Sequence, residues 1–334
     1  MPRSEEIRLA PAGMFLPGGL SRDDVVAFHP RLEAARNGVL SMMPTAADEQ
    51  HGAAAIITLP ERMLADYGLN RRASELGRIL AVARRMRDAA DRVVIVGSAM
   101  DCAAARALFA AGCHPYHNEQ GRGDRGGRPR IYFAGEQFDN DQLAGLLDLL
   151  PHEPPAATVD DRWGIIAIDS DCRTSAASCD DETTPAAAAF GILLAALRRS
   201  CRDDPERLGQ LILPVASLQS RLACEFESLA IGERFQIPPE ICGAMAVFSA
   251  AGSLPASVMW LDIVRFLQGG AAMNERFHSA PIGDNPPLDF AGILELTRRR
   301  GGGITRPRFI ASSRGAVAVA EWCGRLWESA NSKS

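Results

Sequence analysis

Val93-Val94-Ile95-Val96-Gly97-Ser98 sets four branched apolar residues in a row before a glycine and a serine, and an alanine-rich stretch, Ala103–Ala111, follows. A run of that length closed by a turn signal fits a strand buried on both faces, and the alanines fit a helix, so the segment is one βα unit. The pattern recurs further along. Ile131-Tyr132-Phe133-Ala134 leads into a helix over Asp141–Leu150, Gly164–Ile168 precedes a helix over Pro185–Arg199, and Leu211–Val215 precedes one over Ser217–Ser228. Phe235-Gln236-Ile237 adds an edge strand. Strands alternating with helices predict an α/β fold with a doubly wound parallel sheet, whose ligands bind at the carboxyl ends of the strands. A site is therefore expected at the turns after Val96, Ala134 and Ile168.

On either side of this region the strand signal is absent. Residues 1–84 read as an N-terminal helical segment, with helices around Val25–Leu40 and from Leu76 to Met86. Residues 85–239 hold the sheet. Residues 240–334 read as helices only: Gly243–Leu254, Ala256–Gln268, Leu288–Arg300 and Ala316–Glu328.

With 334 residues, 47% of them hydrophobic, the chain can supply cores for two ordinary domains. Its 36 Lys+Arg against 41 Asp+Glu give a net charge of −5, so no overall field draws it to nucleic acid. No stretch reaches the roughly 18 uncharged apolar residues of a membrane span, and no secretory leader pattern opens the chain, so a cytoplasmic protein without membrane contact is expected. The eight cysteines lack CxxC spacing and read as reduced thiols. One cluster, Cys113-His114-Pro115-Tyr116-His117, has metal-ligand residue types, but Pro115 prevents a helical i,i+4 face. No metal and no cofactor are expected.

Taken in order, several motifs resemble the phosphoglucose isomerase (glucose-6-phosphate isomerase) family, whose first sugar-isomerase (SIS) domain has this doubly wound topology. Val94-Ile95-Val96-Gly97-Ser98 is similar to the family's strand ending in Gly-Gly-Ser. Phe133-Ala134-Gly135-Glu136-Gln137-Phe138-Asp139-Asn140-Asp141 is similar to its hydrophobic-Gly-Asn-Asn turn, with Glu136 in place of Asn. Glu182-Thr183-Thr184-Pro185 resembles its threonine-rich phosphate loop, and Phe248-Ser249-Ala250-Ala251-Gly252-Ser253-Leu254-Pro255 its Ser-Ala-Val-Gly-Leu-Pro signature. Asn285-Pro286-Pro287-Leu288 and Glu321-Trp322, then Leu326-Trp327-Glu328-Ser329, continue the match, which covers most of residues 85–334.

The resemblance implies interconversion of glucose 6-phosphate and fructose 6-phosphate. A carboxylate moves a proton between C1 and C2, an Arg holds the developing oxyanion, and His and Lys open the ring. It makes Gly97, Ser98, Ser170, Thr183, Thr184 and Gly243 candidate contacts to a hexose phosphate, and Glu328 the candidate base. Thr184 also has the character of an N-cap, with Pro185 at the first helical position.

Several positions depart from the pattern. Val96 replaces the first Gly, Cys242 replaces another, and Ala244 stands where the signature has its catalytic Arg. Asp169-Ser170-Asp171 replaces Ser-Lys-(Ser/Thr), and Asp180-Asp181-Glu182 follow. A carboxylate within about 4 Å of a phosphate opposes it by about 1 to 4 kcal/mol. One residue is missing before Glu328, which turns that side chain by about 100° on a helix. The family continues with a second SIS sheet carrying the ring-opening His and a Lys, and His152 and His278 lie outside any matching motif. The expectation is a truncated, diverged member with an incomplete, mainly helical second domain and little or no turnover. The alternatives are a non-catalytic sugar-phosphate-binding sensor, an oligomer such as a homodimer formed through the helices after 240, and a reading frame cut short. The face Leu254/Val258/Leu261/Val264/Leu267 would be left in water unless these helices dock elsewhere or bind a partner.

Overall fold

Five strands carry the largest core of the protein. In the computed structural model, which describes residues 7–15, 17–43, 55–151, 158–170, 184–218, 220–227, 229, 231–238, 241, 243–301 and 307–331, they are β1 (Arg92–Val96), β2 (Arg130–Ala134), β3 (Trp163–Asp169), β4 (Ile212–Ala216) and β5 (Phe235–Gln236). All pair in parallel in the order β2-β1-β3-β4-β5. Val96 stands level with Ala134 on one side and Ala167 on the other, and Ile168 with Val215. Val93 to Val96 and Ile165 to Ile168 are completely buried, as a sheet covered on both faces requires. The expected doubly wound α/β sheet is present, its edge strand at Phe235 included, and strand order reverses between β1 and β3.

Among the described residues there are twelve α-helices: α1 (Arg22–Ser41), α2 (Ala55–Asn70), α3 (Glu75–Ala89), α4 (Ala103–Gly112), α5 (Asn140–Leu149), α6 (Pro185–Ser200), α7 (Pro205–Leu211), α8 (Arg221–Glu227), α9 (Ala250–Val258), α10 (Ile263–Ser279), α11 (Pro286–Arg300) and α12 (Arg314–Asn331). Two compact units result. One comprises Met1–Glu61 and Phe266–Arg308, the other Arg62–Arg265 and Phe309–Ser334. No helix among the described residues is long and apolar enough to cross a membrane.

In the first unit α1 packs on α11, where Leu32 approaches Gly292 so closely that an added Cβ would lie 2.8 Å from its methyl. Asn285 is completely buried between α10 and α11. Its amide donates to the carbonyls of Arg276, Phe277 and Ala280, and its carbonyl accepts from Leu288 N–H. One side chain thus caps two helices.

The second unit holds the sheet. α9 lies against α3 and α4, and α12 lies along α4. Every residue of α9 is buried, with Leu254 and Val258 at 0% exposure, each such side chain stabilising by about 1.5–3 kcal/mol. Leu254 and Val258, on the apolar face expected to dock elsewhere or bind a partner, are covered within the same unit, where α9 lies against α3 and α4. Gly252 makes its close approach to the preceding turn possible, since a Cβ there would fall 2.0 Å from the Val247 carbonyl oxygen. The helix expected over Ala256–Gln268 is two helices. Trp260 takes a left-handed φ of 60°, and Leu261 N–H returns 2.9 Å to the Ala256 carbonyl, a closure that ends α9. The helix expected over Gly243–Leu254 begins as a 3₁₀ turn, Gly243–Phe248, before Ser249 caps α9.

At the amino end of β1 the completely buried Asp91 receives three guanidinium groups, from Arg122 at 2.9 Å and from Arg125 and Arg130. The arginines also hold backbone carbonyls of Arg87, Gln120, Arg128 and Asn118. The basic, glycine-rich stretch 121–130 is thereby tied to the sheet. Beside it, the Asn118 amide donates to the Ile131 carbonyl at 2.7 Å and accepts from Ile131 N–H at 2.9 Å, along the outer side of β2.

Candidate functional site

Strand order reverses between β1 and β3, the place where folds of this class form their ligand crevice, and residues from three segments meet at the carboxyl ends of these strands. Ser98 follows β1, Ser170 follows β3, and Gly243 begins the 3₁₀ turn before α9. Asp101 joins the two serines. The Ser98 hydroxyl donates to its Oδ2 at 2.7 Å, and the Ser170 hydroxyl donates to Oδ1. In return Asp101 N–H donates to Ser98 Oγ at 3.1 Å, and Gly243 N–H donates to Ser170 Oγ at 3.0 Å. Gly97 supports this turn by its size. A Cβ on it would lie 2.8 Å from the Ile168 carbonyl oxygen and 3.1 Å from Cys102 Sγ.

Asp101 is 7% exposed. Burial pushes its carboxyl above the usual carboxylate range; the two serine hydroxyls pull the other way, and Asp169 at the end of β3 raises it further. Asp169 accepts from Leu222 N–H at 3.2 Å. Neutral donors hold Asp101, and no cation among the described residues forms an ion pair with it. Cys102 beside it is completely buried, and desolvation drives its thiol well above the ordinary value.

Of the residues picked out from the sequence, the structure brings together Gly97, Ser98, Ser170 and Gly243. Thr184 caps α6, its hydroxyl accepting from Ala187 N–H at 3.2 Å, with Pro185 at the first turn. Thr183, the acidic cluster 180–182, Cys172, Cys179, Cys242 and His152 lie outside the described residues. Glu328 is exposed on α12, and no hydrogen bond joins it to the crevice among the described residues. Glu136, at the Asn position of the second turn, forms a 2.6 Å ion pair with Arg106, whose guanidinium lies 4.2 Å over the Phe133 ring.

The position of Ala244 is filled by packing. Its side chain is completely buried, and its carbonyl accepts the Trp322 indole N–H at 2.8 Å. Sequence reasoning missed Asp101 and Arg325. Arg325 reaches from α12 to Met100 Sδ at 3.8 Å, on the turn that carries Asp101. Ser98-x-x-Asp101 has the spacing of a helix capping pair, which could have drawn attention to Asp101.

No group of three His, Cys, Asp or Glu among the described residues is disposed to hold a metal ion. His117 is packed instead, its ring edge-on to Phe109 and its Nε2–H donating to the Pro129 carbonyl at 3.0 Å. Burial lowers its pKa. Cys102, Cys113, Cys201 and Cys323 are free thiols.

No family model matches the chain. Its sequence is 26% identical to glucose-6-phosphate isomerase of Symbiobacterium thermophilum over 78% of this chain and 53% of the relative, and 24% identical to that of Acetivibrio thermocellus over 70% and 48%. The glucose-6-phosphate isomerase of Streptococcus thermophilus is 25% identical over 68% of this chain and 46% of its own length. The chain spans about half the length of the curated relatives it matches. A solved structure described as hypothetical protein TT0462 from Thermus thermophilus superposes with a TM-score of 0.65 at 20% identity, over 93% of this chain and 62% of that one, which supports the fold. At low identity, and over most of its own residues, the chain is related in sequence to glucose-6-phosphate isomerases.

Proposed function

We propose that the chain is a glucose-6-phosphate-isomerase-like SIS protein that turns over hexose 6-phosphate slowly or not at all. The similarity to the isomerases supports the sugar-phosphate class, and Ser98, Ser170 and Gly243 meet at the switch point of the sheet, where folds of this class bind their ligands. The observation that carries low turnover is the buried methyl of Ala244. An enediolate needs a cation or donor where its charge develops, and loss of one such group costs about a hundredfold to a thousandfold. Here the residue at that position offers a carbonyl already bound to Trp322.

A coupled assay of fructose 6-phosphate conversion on purified protein tests this. The expected rate is at least about a hundredfold below that of an ordinary relative. Turnover within tenfold of such a relative, roughly 1.4 kcal/mol in barrier height, would sink the proposal.

A further inference from the structure

A carboxyl of the chain itself sits at the switch point. Asp101 takes both serine hydroxyls there. Hydroxyls converging from separate segments are donors of the kind that hold a phosphate. Gly243 N–H completes the set by fixing the Ser170 oxygen, so that the serine's hydrogen is directed at the carboxylate. A phosphate seeking the same donors would meet a carboxylate in hydrogen-bonding range of each.

We propose that Asp101 is an internal substitute for the phosphate of a ligand, filling the anion position between Ser98 and Ser170 and excluding phosphorylated sugars from it. This rests on the sugar-phosphate reading above only for the identity of the excluded ligand. The geometry gives two reasons for exclusion. The carboxyl occupies the space, and in its ionised form its charge opposes a dianion at contact distance. Asp169, close enough to push the Asp101 carboxyl upward, adds to the same repulsion. An ordinary helix cap would also join Ser98 to Asp101. It would not account for Ser170, 69 positions away on another strand, giving its hydroxyl to the other oxygen.

Replacement of Asp101 by a small neutral residue is then expected to open an anion site. The test uses the full chain, with inorganic phosphate as the probe, followed by titration calorimetry at constant ionic strength and neutral pH. Asp101→Ala is expected to bind phosphate at least about tenfold more tightly than the unaltered protein. Adding Ser170→Ala is expected to abolish the gain. Asp101→Ser, which leaves a hydroxyl for one of the two serines, carries the same comparison should the alanine variant fail to fold. The proposal is overturned if a folded variant, checked by circular dichroism, binds phosphate no better than the unaltered protein, or if the gain survives Ser170→Ala. Because the probe lacks a sugar, slow or fast isomerase turnover leaves this outcome untouched. Glucose 6-phosphate binding no tighter than inorganic phosphate in the opened variant counts against the sugar reading alone.

Discussion

Two buried aspartates stand at opposite ends of β1, and the sheet treats them differently. Asp91, at the amino end, is surrounded by Arg122, Arg125 and Arg130. Asp101, past the carboxyl end, is held by the hydroxyls of Ser98 and Ser170. A buried carboxylate is costly unless its charge and all its lone pairs are answered. At the amino end both conditions are met, and the guanidinium groups also fasten a loop. At the carboxyl end hydrogen bonds are supplied without opposite charge, and the carboxyl responds by holding its proton more firmly. One end of the strand is closed by opposite charges, while the other is polar without them.

The sharpest way to break this contrast is Asp91→Ala. It strands the completely buried guanidinium of Arg125, and removing one partner of such a cluster costs about 3–5 kcal/mol. Urea unfolding midpoints are expected to fall accordingly, and a loss under about 1 kcal/mol, roughly a fivefold change in the folded ratio, would show the cluster to be ornamental.

A subtler effect is expected at the other end. Since the folded Asp101 carboxyl is raised, the folded chain keeps this proton longer than the unfolded chain as pH rises. Its contribution is therefore most favourable below the ordinary carboxylate value near about 4, and it is lost as pH climbs through the raised one. Asp101→Asn escapes that loss. Its stability relative to the unaltered protein should improve between acid and neutral pH, measured as the difference in unfolding midpoint across a pH series. A difference that does not move with pH would mean that burial does not strain this carboxyl.

The smallest effect is expected for Trp322→Phe. It deletes the N–H that satisfies the Ala244 carbonyl and keeps most of the packing, at a cost of about 0.5–1.5 kcal/mol in midpoint stability. A loss as large as that of Asp91→Ala would erase the distinction between a charged and a neutral end.

The strands are readable because Val93–Val96 and Gly164–Ile168 are unbroken apolar runs, which a sheet covered on both faces demands. The start of α6 is readable from Thr184 and Pro185, since capping chemistry is local. α7, inside seven residues that also contain a glycine, is not, and neither is α2, which carries Pro60 in its interior. What covers α9 depends on α3 and α4, more than a hundred positions earlier, and periodicity carries no record of a partner. The same holds at the crevice. Ser98 and Ser170 can each be picked out by their turns, yet the residue that unites them looks like an ordinary acid near a helix start. Arg325 likewise sits on a helix where only the terminal glutamate draws attention.

Asn118 has a bearing on how the molecule behaves in company. Its amide imitates one residue of a neighbouring strand, so part of the sheet's outermost margin is already answered from within the chain. A stray extended segment looking for a template finds that rung taken, which discourages edge-to-edge clumping at high concentration without adding charge to the border.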